Sequence, residues 1–166
     1  MSGRSRGAVV RFAALPTLLV AVAITSGAAQ APTGLPVPFA TIAAGKFSRI
    51  PVPTTLVVRT QAEWADLWRR AAGPGGAAPP AVDFRREMVA AVFGGQVPEP
   101  AAMAITRIAR TSDRLIIWYT LTFTRPPLDG GAPVSFAPFH IVRLALSPLP
   151  VEFVQSETPP MLRRLP

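Results

Sequence analysis

Arg114–Thr124 reads RLIIWYTLTFT, and this stretch decides the fold class. Leu115, Ile117, Tyr119, Leu121 and Phe123 occupy one side of a period-two alternation, and Ile116, Trp118, Thr120, Thr122 and Thr124 the other. Successive strand side chains point to opposite faces, so the first set suits a core and the threonines suit solvent. Just upstream, Met103–Arg110 is a second strand candidate, followed by the polar turn Thr111-Ser112-Asp113. Two strands joined by a short polar turn predict an antiparallel hairpin.

Working outward, Glu87–Phe93 (EMVAAVF) reads as a largely buried strand, closed by Gly94-Gly95. Phe39–Ala44, Thr55–Arg59, Phe139–Leu146 and Val151–Gln155 are further strand candidates. Their β-branched and aromatic residues fit a pleated surface. Leu146–Pro150 carries two prolines, which argues against a tight hairpin between the last two strands.

One helix stands out. Thr60-Gln61-Ala62-Glu63 has capping-box spacing: the Thr60 side chain can accept from the amide three residues on, and Glu63 can reach back to the Thr60 amide. Trp64, Leu67, Trp68 and Ala71 then recur at helical spacing on one face. Arg69 and Arg70 fall in the last turn, where the helix dipole favours cations. Gly73-Pro74-Gly75-Gly76 ends the segment. The Trp pair is read as pinning the helix to a sheet rather than as a binding platform. The expected fold is α+β: a mostly antiparallel β-sheet, sandwich-like or a partly open barrel, with one amphipathic helix packed on it.

The chain has 166 residues, twenty of them proline, and no cysteine. The prolines gather between the candidate elements, where a fixed φ and a missing N–H donor do least harm. Arg4, Arg6 and Arg11 precede the uncharged run Phe12–Ile24, and small residues follow to Ala29-Gln30-Ala31. A basic start, a short apolar middle and a small-x-small exit describe a secretory signal peptide, so export and cleavage after Ala31 are expected. The alternative is an uncleaved anchor. Thirteen residues containing Pro16 fall short of the roughly 20 that a spanning helix needs. The remainder divides into a lead-in with a first strand (32–50, flexible over Pro32–Pro38), the main domain (51–157) and a tail (158–166). No stable membrane span is expected after cleavage.

The formal charge is +8; without the three leader arginines, fourteen basic and nine acidic residues leave +5. The basic residues are scattered, with short pairs at Arg69-Arg70, Arg85-Arg86 and Arg163-Arg164. A nucleic-acid site would need a dense basic face with interleaved aromatics, so no nucleic-acid partner is expected.

Catalytic readings find little support. His140 is the only histidine, lies mid-strand, and has no nucleophile elbow to serve. It is expected to point at solvent or make one hydrogen bond. One histidine without cysteine cannot build an ordinary zinc site, and no calcium loop occurs. Asp83 with Glu87, or Glu63 with Asp66, could pair as acid and base only across a cleft. Gly94-Gly95 follows a strand, but no phosphate-loop motif continues from it. The pair is read as a sharp turn. No catalytic, cofactor-binding or metal-binding residue, no cofactor and no enzyme activity are expected.

Four stretches together carry a resemblance: VVRTQAEWADLWRRA, VDFRREMVAAVFGGQ, RLIIWYTLTF and APFHIVRL. Their order and spacing, from Val57 to about Val154, resemble the C-terminal domain of the PrcB family, named for a subunit of a protease complex. The resemblance implies a non-enzymatic extracytoplasmic domain that binds and stabilises a secreted protease. Family members usually continue from the glycine strand through a PTGGY-like turn. Here Gln96-Val97-Pro98-Glu99-Pro100 takes its place. If that turn contacts the partner, this chain takes a different partner or holds it differently.

The leading expectation is therefore a secreted or periplasmic protein-binding domain whose partner is an extracytoplasmic protease. Its candidate contact loops are Gly94–Pro100 and Arg125–Pro138. The named contacts are Gly94, Gly95, Gln96, Pro98, Arg125, Pro126, Asp129 and Gly130. Alternatives are a protease inhibitor that inserts one of these proline-stiffened loops, an envelope-polymer hydrolase in which Asp83, Glu87, Asp113 and Asp129 would converge in one cleft, and a polyanion-binding surface of clustered arginines.

Overall fold

The structure is a computed structural model and describes residues 34–73, 75–123 and 135–156. In chain order the elements are β1 (Leu35–Pro36), β2 (Phe39–Gly45), β3 (Pro53–Val58), α1 (Gln61–Ala72), β4 (Glu87–Gly94), β5 (Ala101–Arg110), β6 (Leu115–Phe123), β7 (Phe139–Ala145) and β8 (Val151–Gln155). They make two four-stranded sheets. Sheet A has the order β1-β5-β6-β8, and sheet B the order β2-β7-β4-β3. The β-rich α+β expectation holds, and of its two forms the sheets take the sandwich rather than the partly open barrel.

Sheet B is the middle of three layers, which explains the composition of β4. Met88, Ala90 and Val92 face sheet A and pack with Ile105, Ile108, Leu115 and Ile117. Val89, Ala91 and Phe93 face the other way, against Trp64 and Leu67 of α1. A strand covered on both faces must be apolar at every position rather than at alternate ones. Only Glu87, its first residue, is partly exposed.

The helix forms as its sequence dictates. Thr60 Oγ1 accepts from the Glu63 amide at 3.2 Å, and Glu63 Oε2 accepts from the Thr60 and Arg59 amides at 3.1 and 3.0 Å. The Arg59 amide, then the Thr60 hydrogen bonds, hold the Glu63 carboxyl below its usual range. Trp64 is fully buried, and its indole N–H donates to the Pro80 carbonyl at 2.9 Å. Trp68 meets it edge-on at 5.2 Å, and its N–H donates to the Ala77 carbonyl. Burying one large apolar side chain contributes about 1.5–3 kcal/mol. Trp64 and Leu67 therefore hold the helix on sheet B as the aromatic pair predicts.

Several expectations are corrected. Of the lead-in expected to be flexible over Pro32–Pro38, the described part is held in a sheet: Leu35 and Pro36 pair with Arg110 and Ala109, and β2 forms one edge of sheet B. β8 runs parallel to β6, because Leu146–Pro150 carries the chain from sheet B across to sheet A. Leu115 and Ile117 face the core, but Phe123 lies at the strand end and is 51 % exposed. The hairpin of β5 and β6 forms with the expected polar turn, where Thr111 Oγ1 accepts from the Arg114 amide.

His140 also departs from expectation. It is only 8 % exposed and makes two hydrogen bonds. The pairing of β5 with β6 slips between Ile105 and Arg107, and the Ile105 amide donates across the sandwich to His140 Nδ1 at 2.8 Å. With Nδ1 accepting, Nε2 carries the proton and donates to Thr41 Oγ1 at 2.8 Å. Burial pushes the imidazole below its ordinary pKa, which keeps it neutral. The side chain is a polar tie between the sheets.

Candidate functional site

The chain turns at two ends of the sandwich, and one of them is apolar. There β2 ends, β3 begins, β4 leaves for β5, and β6 ends opposite the first residue of β5. Phe47 is 61 % exposed and Val52 60 % exposed, both in the segment joining β2 to β3. Phe123 lies at the same end. The Phe47 ring stacks on Phe136, with centroids 5.5 Å apart and planes inclined by 21°.

Backbone hydrogen bonds lock the segments that carry these rings. Val97 and Phe136 exchange both N–H···O bonds, at 2.8 and 2.9 Å. The Gly94 amide donates to Pro138, the Gln96 amide to Pro51, and the Ala137 amide to Lys46, at 2.8, 3.0 and 2.8 Å. The Arg49 amide donates to the Ala71 carbonyl in the last turn of α1 at 3.0 Å. Gly95 makes the crossing possible. Its φ of +69° is a region side chains rarely adopt, and a Cβ there would lie 2.7 Å from the Pro53 backbone nitrogen.

Below Phe47 a cavity of about 310 Å³ runs between α1 and sheet B. Its walls are chiefly Phe47, Trp68, Ala71, Phe139 and Ile141, and Arg49 is the charged residue on it. Neither Arg49 nor Lys46 makes an ion pair among the described residues, whereas Arg69 and Arg70 both engage Asp66. The Arg49 side chain lies against Gly73, where a Cβ would collide with its Nε.

Of the contact residues named from sequence, Gly94, Gly95, Gln96 and Pro98 all lie at this end. Gly94 and Gly95 are buried and act through the backbone; Gln96 and Pro98 are exposed. Arg125, Pro126, Asp129 and Gly130 lie outside the described residues. Sequence reasoning passed over Phe47, Arg49 and Val52. The available signal was three large apolar residues, Phe47, Ile50 and Val52, within the otherwise loop-like run KFSRIPVP.

The described carboxylates named as acid–base candidates are engaged elsewhere. Glu63 caps α1, Asp66 holds Arg69 and Arg70, Asp83 accepts from the Arg85 amide, and Glu87 lies 3.7 Å from Arg143. Asp113 binds Arg114, whose guanidinium and the Thr111 hydroxyl bring its pKa down to about 2. Asp129 lies outside the described residues. Among the described residues, no group of three or more metal-ligating side chains comes together. No family model, curated protein or solved structure matches the chain.

Proposed function

We propose that this protein is a non-catalytic, exported binding domain that docks a protein partner on its aromatic end. One observation carries the reading: an exposed Phe47 stacked on a half-buried Phe136, both on segments held by backbone hydrogen bonds. Aromatic side chains on a rigid frame bring large contact area at little entropic cost, and such residues dominate interface energetics. Exposed apolar groups gathered at one place are the usual mark of an interaction surface. Supporting the non-catalytic part, the described carboxylates and His140 hold elements together. Supporting export is the basic–apolar–small leader that ends at Ala29-Gln30-Ala31. The PrcB resemblance supplies the partner class, an extracytoplasmic protease that the domain stabilises.

The test is capture from native envelope fractions by the wild-type chain, by Phe47→Asp, and by Arg114→Ala at the opposite end. The partner should be a secreted protease, retained by wild type and Arg114→Ala and lost by Phe47→Asp. Equal capture by all three would overturn the docking surface. A second reading, inhibition by loop insertion, is favoured by the pinned Gly94–Val97 segment, within which Gln96 is exposed. Assaying the captured protease separates the two. Stabilisation lengthens its active lifetime, whereas inhibition blocks turnover at stoichiometric protein.

A further inference from the structure

We infer that the cavity beneath Phe47 is an anchor pocket for an apolar side chain flanked by carboxylates, in an acidic–aromatic segment of a partner polypeptide. The inference rests on the docking reading above and names the chemistry that the surface selects. Its volume, about 310 Å³, sits at the lower end of the roughly 300–1,000 Å³ that ligand pockets span. That is room for a large side chain rather than an extended ligand. The walls are apolar: Phe47 on the open side, Phe139 and Ile141 from β7, and Trp68 with Ala71 from α1. The two alanines at the end of α1, Ala71 and Ala72, leave the space that longer side chains would fill.

Charge sets the flanks. Arg49 lies on the pocket wall and Lys46 lies next to Phe47 in the chain; both are exposed and free of ion pairs among the described residues. At the other end of the molecule Arg86, Arg114 and Arg143 each have a carboxylate partner. An unpaired guanidinium beside an apolar hole favours a carboxylate next to the inserted group, because a charge-assisted hydrogen bond is about twice as strong as a neutral one. A basic segment would meet like charge and be rejected. The frame is already formed, since Arg49 and Ala137 are both held by backbone hydrogen bonds, so little ordering opposes entry.

The experiment uses the purified full-length protein and three labelled hexapeptides: one with glutamates flanking a tryptophan, one with lysines flanking it, and one with glutamates flanking an alanine. Affinity is read by fluorescence anisotropy, and the site by amide shifts at Ala71, Ala72 and Phe139. The glutamate–tryptophan peptide should bind at least tenfold more tightly than either control and shift those amides. Arg49→Glu should weaken it at least tenfold. Ala72→Trp, which crowds the pocket from an exposed helix position, should do the same without touching the core. No shift at those amides at millimolar peptide, equal affinity for the glutamate and lysine peptides, or binding unaffected by Ala72→Trp would each overturn the inference. Self-association abolished by Ala72→Trp would assign the pocket to a second copy and overturn it too. Failure here is separable from failure of the docking reading. If Phe47→Asp abolishes partner capture while Arg49→Glu and Ala72→Trp leave it intact, the surface stands and the pocket falls.

Discussion

The two ends of the sandwich solve the problem of turning a chain in opposite ways. At one end, several charges are answered internally, although Arg85 and Arg110 make no ion pair among the described residues. Arg114 bridges Asp113 and Glu152 at 2.7 and 3.1 Å, Arg143 lies near Glu87, and the Arg59 guanidinium donates to the Ser147 and Leu149 carbonyls. At the other end, backbone hydrogen bonds hold the connecting segments while several large side chains stay exposed. Phe47, Val52 and Phe123 stand in solvent, and Lys46 and Arg49 lack ion-pair partners among the described residues. The charged end also exposes Leu35 and Leu146, but among the described residues no aromatic ring stacks beside them and its ion pairs are made internally. An end that holds a stacked aromatic pair and cations without ion-pair partners among the described residues on a hydrogen-bonded frame is the end on which the docking proposal rests.

That contrast can be broken by mutation. The largest effect is expected at Gly95. Gly95→Val forces a β-branched side chain into a left-handed conformation against the Val52 and Pro53 backbone. It should cost about 1–3 kcal/mol from backbone strain alone, and more from the collision, read as a lowered midpoint in urea unfolding. An unchanged midpoint would show that the aromatic frame is not rigid. At the charged end, Thr60→Ala removes the helix cap and should cost about 1 kcal/mol, without affecting partner capture. Loss of capture there would blur the division between the ends.

Acid should separate the ends more gently. His140 lies one residue into β7, beside the aromatic end, and its folded pKa is below the ordinary 6.5. A depressed pKa means that the unfolded chain takes up the proton first. The contribution of neutral His140 is therefore complete above about pH 6.5 and lost as pH falls through the folded value. Asp113, held at about 2 against an ordinary 3.8, keeps its contribution until pH falls below about 4. Hydrogen exchange should show the Ile105 amide losing protection first, while the Thr111–Arg114 turn holds to lower pH. Simultaneous loss would mean that His140 carries no separate weight. The smallest stability effect is expected for Phe47→Asp. An exposed substitution should change unfolding free energy by within about 0.5 kcal/mol, while the docking proposal expects it to abolish partner capture.

Local features were legible in the sequence because their causes are local. The capping box and the Trp64–Leu67–Trp68 face depend on neighbours a few residues away and are present, whereas the burial alternation read over Arg114–Thr124 holds only from Leu115 to Trp118. The fully apolar run of β4 reads correctly as buried. What covers its two faces could not be read, because that is set by pairings far along the chain. The parallel placement of β8 follows from a crossover, not from any residue in VEFVQ. His140 escaped because its partner is a backbone amide released at a slip in another strand, 35 residues away in sequence. The aromatic end was half legible. Glycines and prolines flagged the turn, and the exposed phenylalanine beside it was hidden in a segment read only for its prolines.

The most direct test is site-specific photo-crosslinking in envelope fractions, with a benzoylphenylalanine placed at Phe47, at Val52, or at Ser112 in the turn of the charged end. The account predicts one protein adduct shared by the first two positions and none from Ser112. Adducts from Ser112 alone, or no adduct from Phe47 and Val52, would contradict it.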